Sequence, residues 1–533
     1  MSDAPSHREQ DLTCADGITR REFGRRLGAA AFAAGTSINS TDRWAMAGED
    51  GSVHAPSDLC FTSATELAAM LRSKKVSARE VMQAHLAQIE RVNPAVNSIV
   101  TLVADRAMAD AAAADEKLAR GKLRGPLHGL PIAHKDLVET KGIRTTFGSP
   151  FYRDHIPDAD APIVTLIRKG GALTIGKTNT PEFGLGSQTY NTIFGTTKNA
   201  YDPSKTAGGS SGGGASAGLA LRMLPVADGG DFAGSLRNPA GWNNICGFRP
   251  SSGRVPNGPT TEVFMQQIGY EGPMGRSVID LAMLLSVMAG YDDRTPLSLA
   301  DDPQQFTESL KRDMRGVRIA WLGDLGGIPM DPGMLDLCLG GLKRLESAGC
   351  VIEEATLSVD HEIIWDSFVK LRQGLVAGGL NGLFSDSSKR DKLKPEAIWE
   401  IENGLRLSAV DFFAASMQRS TIYQAYRTLF QTYDLVAMPS AQVFPFDADL
   451  HWPTEVAGVE MDSYHRWMEI VAGPSLAGCP TLSVPAGFGP GHLPSGIQIM
   501  GRHRQDLFVL QAGWAYEQAS QSALKRLPPC LRD

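Results

Sequence analysis

The sequence predicts an α/β protein, a β-sheet covered by helices on both faces. Short β-branched runs at 172–175, 317–321, 351–354, 435–438, 481–484 and 497–500 alternate with helical patterns at 278–289, 334–347 and 507–518. That alternation is the pattern of strands joined by covering helices. In addition, 56 glycines and only 7% aromatic residues suit a tightly turned α/β chain better than a β-sandwich or a long helical repeat. With 533 residues, 42% of them hydrophobic, the chain can bury a large core as one big domain or two ordinary ones.

The N-terminal segment is set apart from the fold. Arg20-Arg21 is followed by a small, apolar run from Gly28 to Gly35 and then by Ala45-Met46-Ala47. This resembles a twin-arginine export signal, an address for proteins exported already folded. Residues 1–47 are therefore expected to be a signal peptide, 48–533 the working domain, and the location periplasmic or secreted. A plain leader or a surface helix with solvated arginines is the competing reading. Nothing downstream supplies the roughly 20 apolar residues of a membrane span, so stable membrane insertion is not expected.

Helical periodicity at 65–72, 78–92 and 103–120 opens the domain. Lys135 follows in Gly129-Leu130-Pro131-Ile132-Ala133-His134-Lys135-Asp136, just after an apolar run. Burial there lowers a lysine pKa towards the neutral amine that a general base requires.

Gly171-Ala172-Leu173-Thr174-Ile175-Gly176-Lys177-Thr178 matches the phosphate-loop pattern letter for letter. Its four middle residues read as a strand, however, whereas a phosphate cradle needs a turn there. The match is read as accidental.

Next comes Ala207-Gly208-Gly209-Ser210-Ser211-Gly212-Gly213-Gly214, entering a small-residue helix over 215–223. Such glycine density costs backbone entropy and points to close approach or unusual backbone geometry, which favours a functional loop over a linker. A nucleophile elbow fits formally, but the preceding ten residues form a polar loop rather than the strand that motif needs. Ser235 lies in a third block, Gly230-Asp231-Phe232-Ala233-Gly234-Ser235-Leu236-Arg237-Asn238-Pro239-Ala240. Successive amides in such a turn can converge as an oxyanion hole. Residues 361–433 show no strand signal and read as a helical insertion.

The three blocks, in this order and at these distances, resemble the amidase signature family over about 63–519. The likeness includes Gly176-Lys177-Thr178-Asn179-Thr180-Pro181-Glu182-Phe183 and Ser483-Val484-Pro485-Ala486-Gly487. It implies a single α/β/α domain around a large, twisted, mixed sheet. It also implies hydrolysis of a carboxylic amide to the acid and ammonia or an amine through an acyl-serine. By resemblance, Ser235 is the nucleophile, Lys135 the terminal base, and a serine of the glycine-serine loop the bridge between them. The family motif points to Ser210 as that bridge, while the usual separation from the nucleophile points to Ser211; both are carried, Ser211 ahead. Amides of Phe232, Ala233 and Gly234 are expected to form the oxyanion hole. Asp231 and Arg237 are expected to brace the turn by ion pairing. Gly230 stands where a Ser or Thr often precedes the aspartate, and Ala233 replaces a glycine, adding a methyl beside the acyl pocket.

No cofactor is needed for this chemistry, and neither the spacing of His128 and His134 nor His361-Glu362 fits a standard zinc motif. A net charge of -7 without a basic stripe argues against nucleic acid. The dispersed cysteines are given no disulfide. The expected partners are a small-molecule amide and the twin-arginine export machinery; a homodimer is left open. The rivals are the A-type subunit of tRNA-dependent amidotransferases, which shares the triad, a nucleotide-dependent enzyme using 171–178, and an exported amide-binding protein without turnover.

Overall fold

The computed structural model describes residues 56–209, 212–258, 260, 262–520 and 525–532. The expected signal peptide, 1–47, and both candidate bridging serines, Ser210 and Ser211, lie outside the described residues.

Helix starts follow local chemistry. Ser63 and Ser77 each accept a hydrogen bond from the backbone of a glutamate three residues on, Glu66 and Glu80, whose side chains return to the serine backbone. These capping boxes satisfy two orphan amides reciprocally and start the helices Ala64–Arg72 and Ala78–Val96. The second helix stops at Asn97, which takes the left-handed conformation at φ 56°.

One sheet of eleven strands organises the described chain. In chain order these are β1 (Ile99–Leu102), β2 (Pro131–Lys135), β3 (Leu173–Thr178), β4 (Val226–Asp231), β5 (Cys246–Arg249), β6 (Tyr270–Gly275), β7 (Arg318–Trp321), β8 (Val351–Glu354), β9 (Leu435–Pro439), β10 (Thr481–Phe488) and β11 (Pro494–Met500). Their order across the sheet is β1-β3-β2-β4-β6-β5-β10-β11-β9-β7-β8. Parallel pairs, β2 with β3 and β4, and β7 with β8 and β9, flank an antiparallel centre. The predicted α/β class with a mixed sheet is what the chain forms.

All six strands predicted from β-branched runs are present, several of them longer than the runs themselves. β1, β2, β4, β5 and β6 lie outside the predicted runs. Val-Ala-Asp-Gly-Gly-Asp and Tyr-Glu-Gly-Pro-Met-Gly carry neither alternation nor β-branched bulk. They hold strand conformation because neighbours on both sides supply the ladder, an override of local propensity. The phosphate-loop match is strand β3, buried throughout, and its Lys177 Nζ donates to the Val138 carbonyl and, at 3.0 Å, to the hydroxyls of Thr140 and Thr145. No phosphate cradle exists there.

The helix after the glycine-serine loop spans Gly212–Ala220, so it begins and ends three residues before the predicted 215–223. The expected insertion is helical, with helices His361–Phe384, Ser387–Arg390, Pro395–Gly404 and Ala409–Leu429. Its apolar side, including Trp365, Phe368, Ile422 and Tyr426, shares one core cluster with Ala233, Trp242 and Val471 beside the Ser235 turn. The insertion thus covers the C-terminal end of β4. Among the described residues no helix is long and apolar enough to cross a membrane.

Candidate active site

β2 and β4 run parallel, with Ala133 opposite Ala227, so Lys135 at the end of one strand comes beside the last residues of the other. Lys135 is 4% exposed, and its Nζ donates to the Gly230 carbonyl at 3.4 Å. Burial, the largest influence, pushes its pKa below the ordinary lysine value, against the pull of Glu271, Asp228 and Asp231. His134, on the other side of the strand, hydrogen bonds through Nδ1 to Asp228 Oδ2, and Asp228 Oδ1 accepts the backbone N–H of Lys135 at 2.9 Å. His134 therefore fixes the strand end rather than facing Lys135.

Beyond Gly230 the chain leaves the sheet in a turn built on Asp231. Its carboxylate accepts the amides of Gly234 at 2.8 Å and Leu236 at 3.2 Å, and two bonds of 2.9 Å from Arg237. Arg249 adds a bond of 3.3 Å to the same carboxylate and another to the Asp231 carbonyl. Arg237 is in turn held by Gln498, Ser475 and the Val471 carbonyl. Burial alone would raise the Asp231 pKa, but Arg237, then Arg249 and the Gly234 amide, hold it well below the usual carboxylate range. Asp231 and Arg237 thus form a buried ion pair within the turn. It leaves Ser235, 2% exposed, on a rigid turn directly beyond β4.

The glycine-serine loop meets this turn. A Cβ on Gly212 would lie far inside contact with the Ser235 carbonyl oxygen and 2.7 Å from Pro239 Cγ, and a Cβ on Gly214 would lie 2.5 to 2.7 Å from the Asn179 backbone. On the other side of the serine pair, the Gly209 amide donates to Asn238 Oδ1 at 3.0 Å. Glycine is required here because two backbones touch. Residues from all three sequence blocks, Lys135, Gly209 with Gly212, and Ser235, therefore gather at the C-terminal ends of β2 and β4, where open α/β sheets place their sites.

The Amidase family matches residues 80–510. This chain belongs to it. An acylamidase from Rhodococcus erythropolis is 33% identical over 466 residues, covering 86% of this chain and 96% of that protein. The A-type subunit of the glutamyl-tRNA(Gln) amidotransferase of Methylococcus capsulatus is 32% identical, over 85% of this chain and 96% of the other. The crystal structure of a bacterial aryl acylamidase of the amidase signature enzymes matches with a TM-score of 0.82 and 28% identity, covering 87% of this chain and 97% of its own. The chain is an amidase signature hydrolase acting on carboxylic amides.

Three features of this amidase escape the sequence. The amide of Gly234, expected to serve the oxyanion hole together with those of Phe232 and Ala233, is committed to Asp231. Phe232 carries the aromatic face of the turn: Phe368 meets its ring edge-on at a centroid distance of 6.1 Å, and the Arg372 guanidinium lies 5.2 Å from its centroid. Glu271, opposite Gly230 in β6, approaches the lysine end of the site. The last two have no local signal, since each depends on residues from separate strands or from the insertion, whereas the Gly234 amide is taken by a carboxylate only three residues away.

Proposed function

We propose that this amidase acylates Ser235, with Lys135 as the terminal base and Ser210 or Ser211 as the bridging hydroxyl. The observation that carries the reading is the position of Lys135 Nζ on the Gly230 carbonyl, at the strand end from which the Asp231-braced turn presents Ser235. A neutral Lys135 accepts a proton through the bridging hydroxyl while Ser235 Oγ forms its bond to the amide carbon. Collapse of the tetrahedral intermediate breaks the C–N bond as the relay returns the proton to the departing nitrogen, and water then releases the acid. With the Gly234 amide held by Asp231, the oxyanion role falls to the Phe232 and Ala233 side of the turn.

The acyl group we propose is aromatic or otherwise bulky and apolar. Phe232, Phe368 and Trp365, the last two stacked with centroids 5.6 Å apart, gather where the insertion meets the turn. Export by the twin-arginine route remains our reading of residues 1–47.

The test is release of ammonia or amine from simple, aryl and long-chain amides and from glutamine, by the wild type beside Ser235→Ala and Lys135→Ala. Turnover of aryl amides abolished in both variants supports the assignment. Preferential hydrolysis of glutamine would favour the amidotransferase-type reading, and undiminished turnover in either variant would reject the triad.

A further inference from the structure

Glu271 is a buried acid that the proposed relay does not use. It stands directly opposite Gly230 in the antiparallel pairing of β4 and β6. Residues so paired project their side chains to the same face within about 5 Å of one another. Because position 230 has no side chain, the Glu271 carboxylate folds over it. A Cβ built on Gly230 would lie 2.8 and 3.0 Å from the two Glu271 carboxylate oxygens and 3.0 Å from Lys135 Nζ. The glycine thus leaves an atom-sized space with the carboxylate on one side and the lysine nitrogen on the other. Glu271 Oε2 is buried without a hydrogen-bond partner among the described residues. An unsatisfied buried oxygen costs free energy unless something charged or protonated faces it, and Lys135 is the cation in reach.

We propose that Glu271 is the counter-charge of the base: across the space left by Gly230, it orients Lys135 and stabilises the ammonium formed when Lys135 takes the nucleophile's proton. The inference rests on the assignment of Lys135 as terminal base. The role corresponds to that of the carboxylate behind histidine in a serine-histidine-aspartate triad, which holds its base and stabilises the cation without accepting the proton. It makes Glu271 a positioning residue.

The other charges around Lys135 are already engaged. Asp228 is hydrogen bonded to His134 and to the Lys135 backbone, and Asp231 is held by Arg237 and Arg249. Glu271 itself borders a cavity of about 140 Å3 lined also by Leu137, Val138, Glu139 and Phe147. Burial raises its pKa, and Lys135 opposes that shift. A carboxylate facing a lysine favours the ammonium, so removing its charge lowers the lysine pKa.

The experiment compares wild type with Glu271→Gln, Glu271→Asp and Gly230→Ala, and reads each in two ways. The first is the pKa of Lys135, followed through the side-chain 15Nζ resonance that disappears in Lys135→Ala; it needs no turnover. The second is the pH profile of kcat/KM on an aryl amide. In Glu271→Gln the Lys135 pKa and the acid limb of the profile should both fall by about one pH unit, with the plateau rate reduced about tenfold or more. Gly230→Ala, whose methyl would push the two groups apart, should move both readings the same way, and Glu271→Asp should recover part of the loss. An unmoved Lys135 pKa in Glu271→Gln overturns the proposal, as does an unmoved acid limb with a pure KM effect. A wild type that hydrolyses no amide while Lys135 still titrates would instead overturn the assignment of Lys135 as base, and this role with it.

Discussion

The amide of Gly234 donates to Asp231 Oδ1 at 2.8 Å while Arg237 grips both oxygens of the same carboxylate. One buried anion thereby shapes the turn that carries Ser235 and is the shared counter-ion of the two arginines beneath it. Removing it leaves Arg237 and Arg249, both fully buried, without their counter-ion.

Asp231→Ala should therefore cost about 3–5 kcal/mol of stability, the range for breaking a buried ion pair from one side, and activity should be lost with it. The folded pKa of Asp231 is depressed, so its contribution is complete above the unfolded carboxylate pKa of about 4 and drains away as pH falls below it. Urea unfolding between pH 3 and 7 should show that decline in the wild type and a flatter curve in a folded Asp231→Asn.

Lys177 offers the opposite slope. Burial, its largest influence, lowers its pKa to about 8 despite Asp136 nearby. An unfolded lysine titrates near 10.4, so between pH 8 and about 10.4 the unfolded chain holds a proton that the folded chain has released, and stability rises with pH. Relative to Lys177→Met, the wild type should gain on the order of 3 kcal/mol across that window. Mg-ATP should leave the melting temperature of the wild type unchanged, because this lysine serves Val138, Thr140 and Thr145.

Gly212→Ala should be nearly inactive. Its methyl would collide with the Ser235 carbonyl oxygen and with Pro239, and neither backbone nor proline ring can swing aside. A displacement of about 1 Å at a nucleophile costs on the order of a hundredfold in rate. Steady-state kinetics of a folded Gly212→Ala should show the loss mainly in kcat.

Gly340→Ala should do the reverse. This glycine lies inside the helix Met334–Leu342, and a Cβ there meets nothing within 4 Å. Alanine should add about 0.5–1 kcal/mol through lower backbone entropy in the unfolded chain. Thermal melts should show the gain, with kcat/KM unchanged.

The legibility of this chain follows the range of the forces involved. Capped and periodic helices such as Ala64–Arg72 and Val278–Met288 are readable because their signals lie within a few residues. Even a short strand such as Val351–Glu354 is legible from β-branched content alone. β4 and β6 are not, because their glycines, acids and proline disfavour a strand until neighbouring strands complete the ladder. At the candidate site, the motif blocks that hold Lys135, Ser235, Asp231 and Arg237 stand out in the sequence because each is compact. The small-residue helix after the glycine-serine loop is legible as a helix, but its bounds shift to Gly212–Ala220.

The sequence by itself determined the α/β class, the amidase family and the residues of its three motifs, since each is written in neighbouring side chains and glycines. Only the tertiary structure decided that the insertion brings Phe368 and Arg372 onto Phe232 and that Glu271 faces Lys135 across a glycine. Those relationships join strands and helices far apart in the chain, and burial and charge act through distances that appear only after the sheet has set its register.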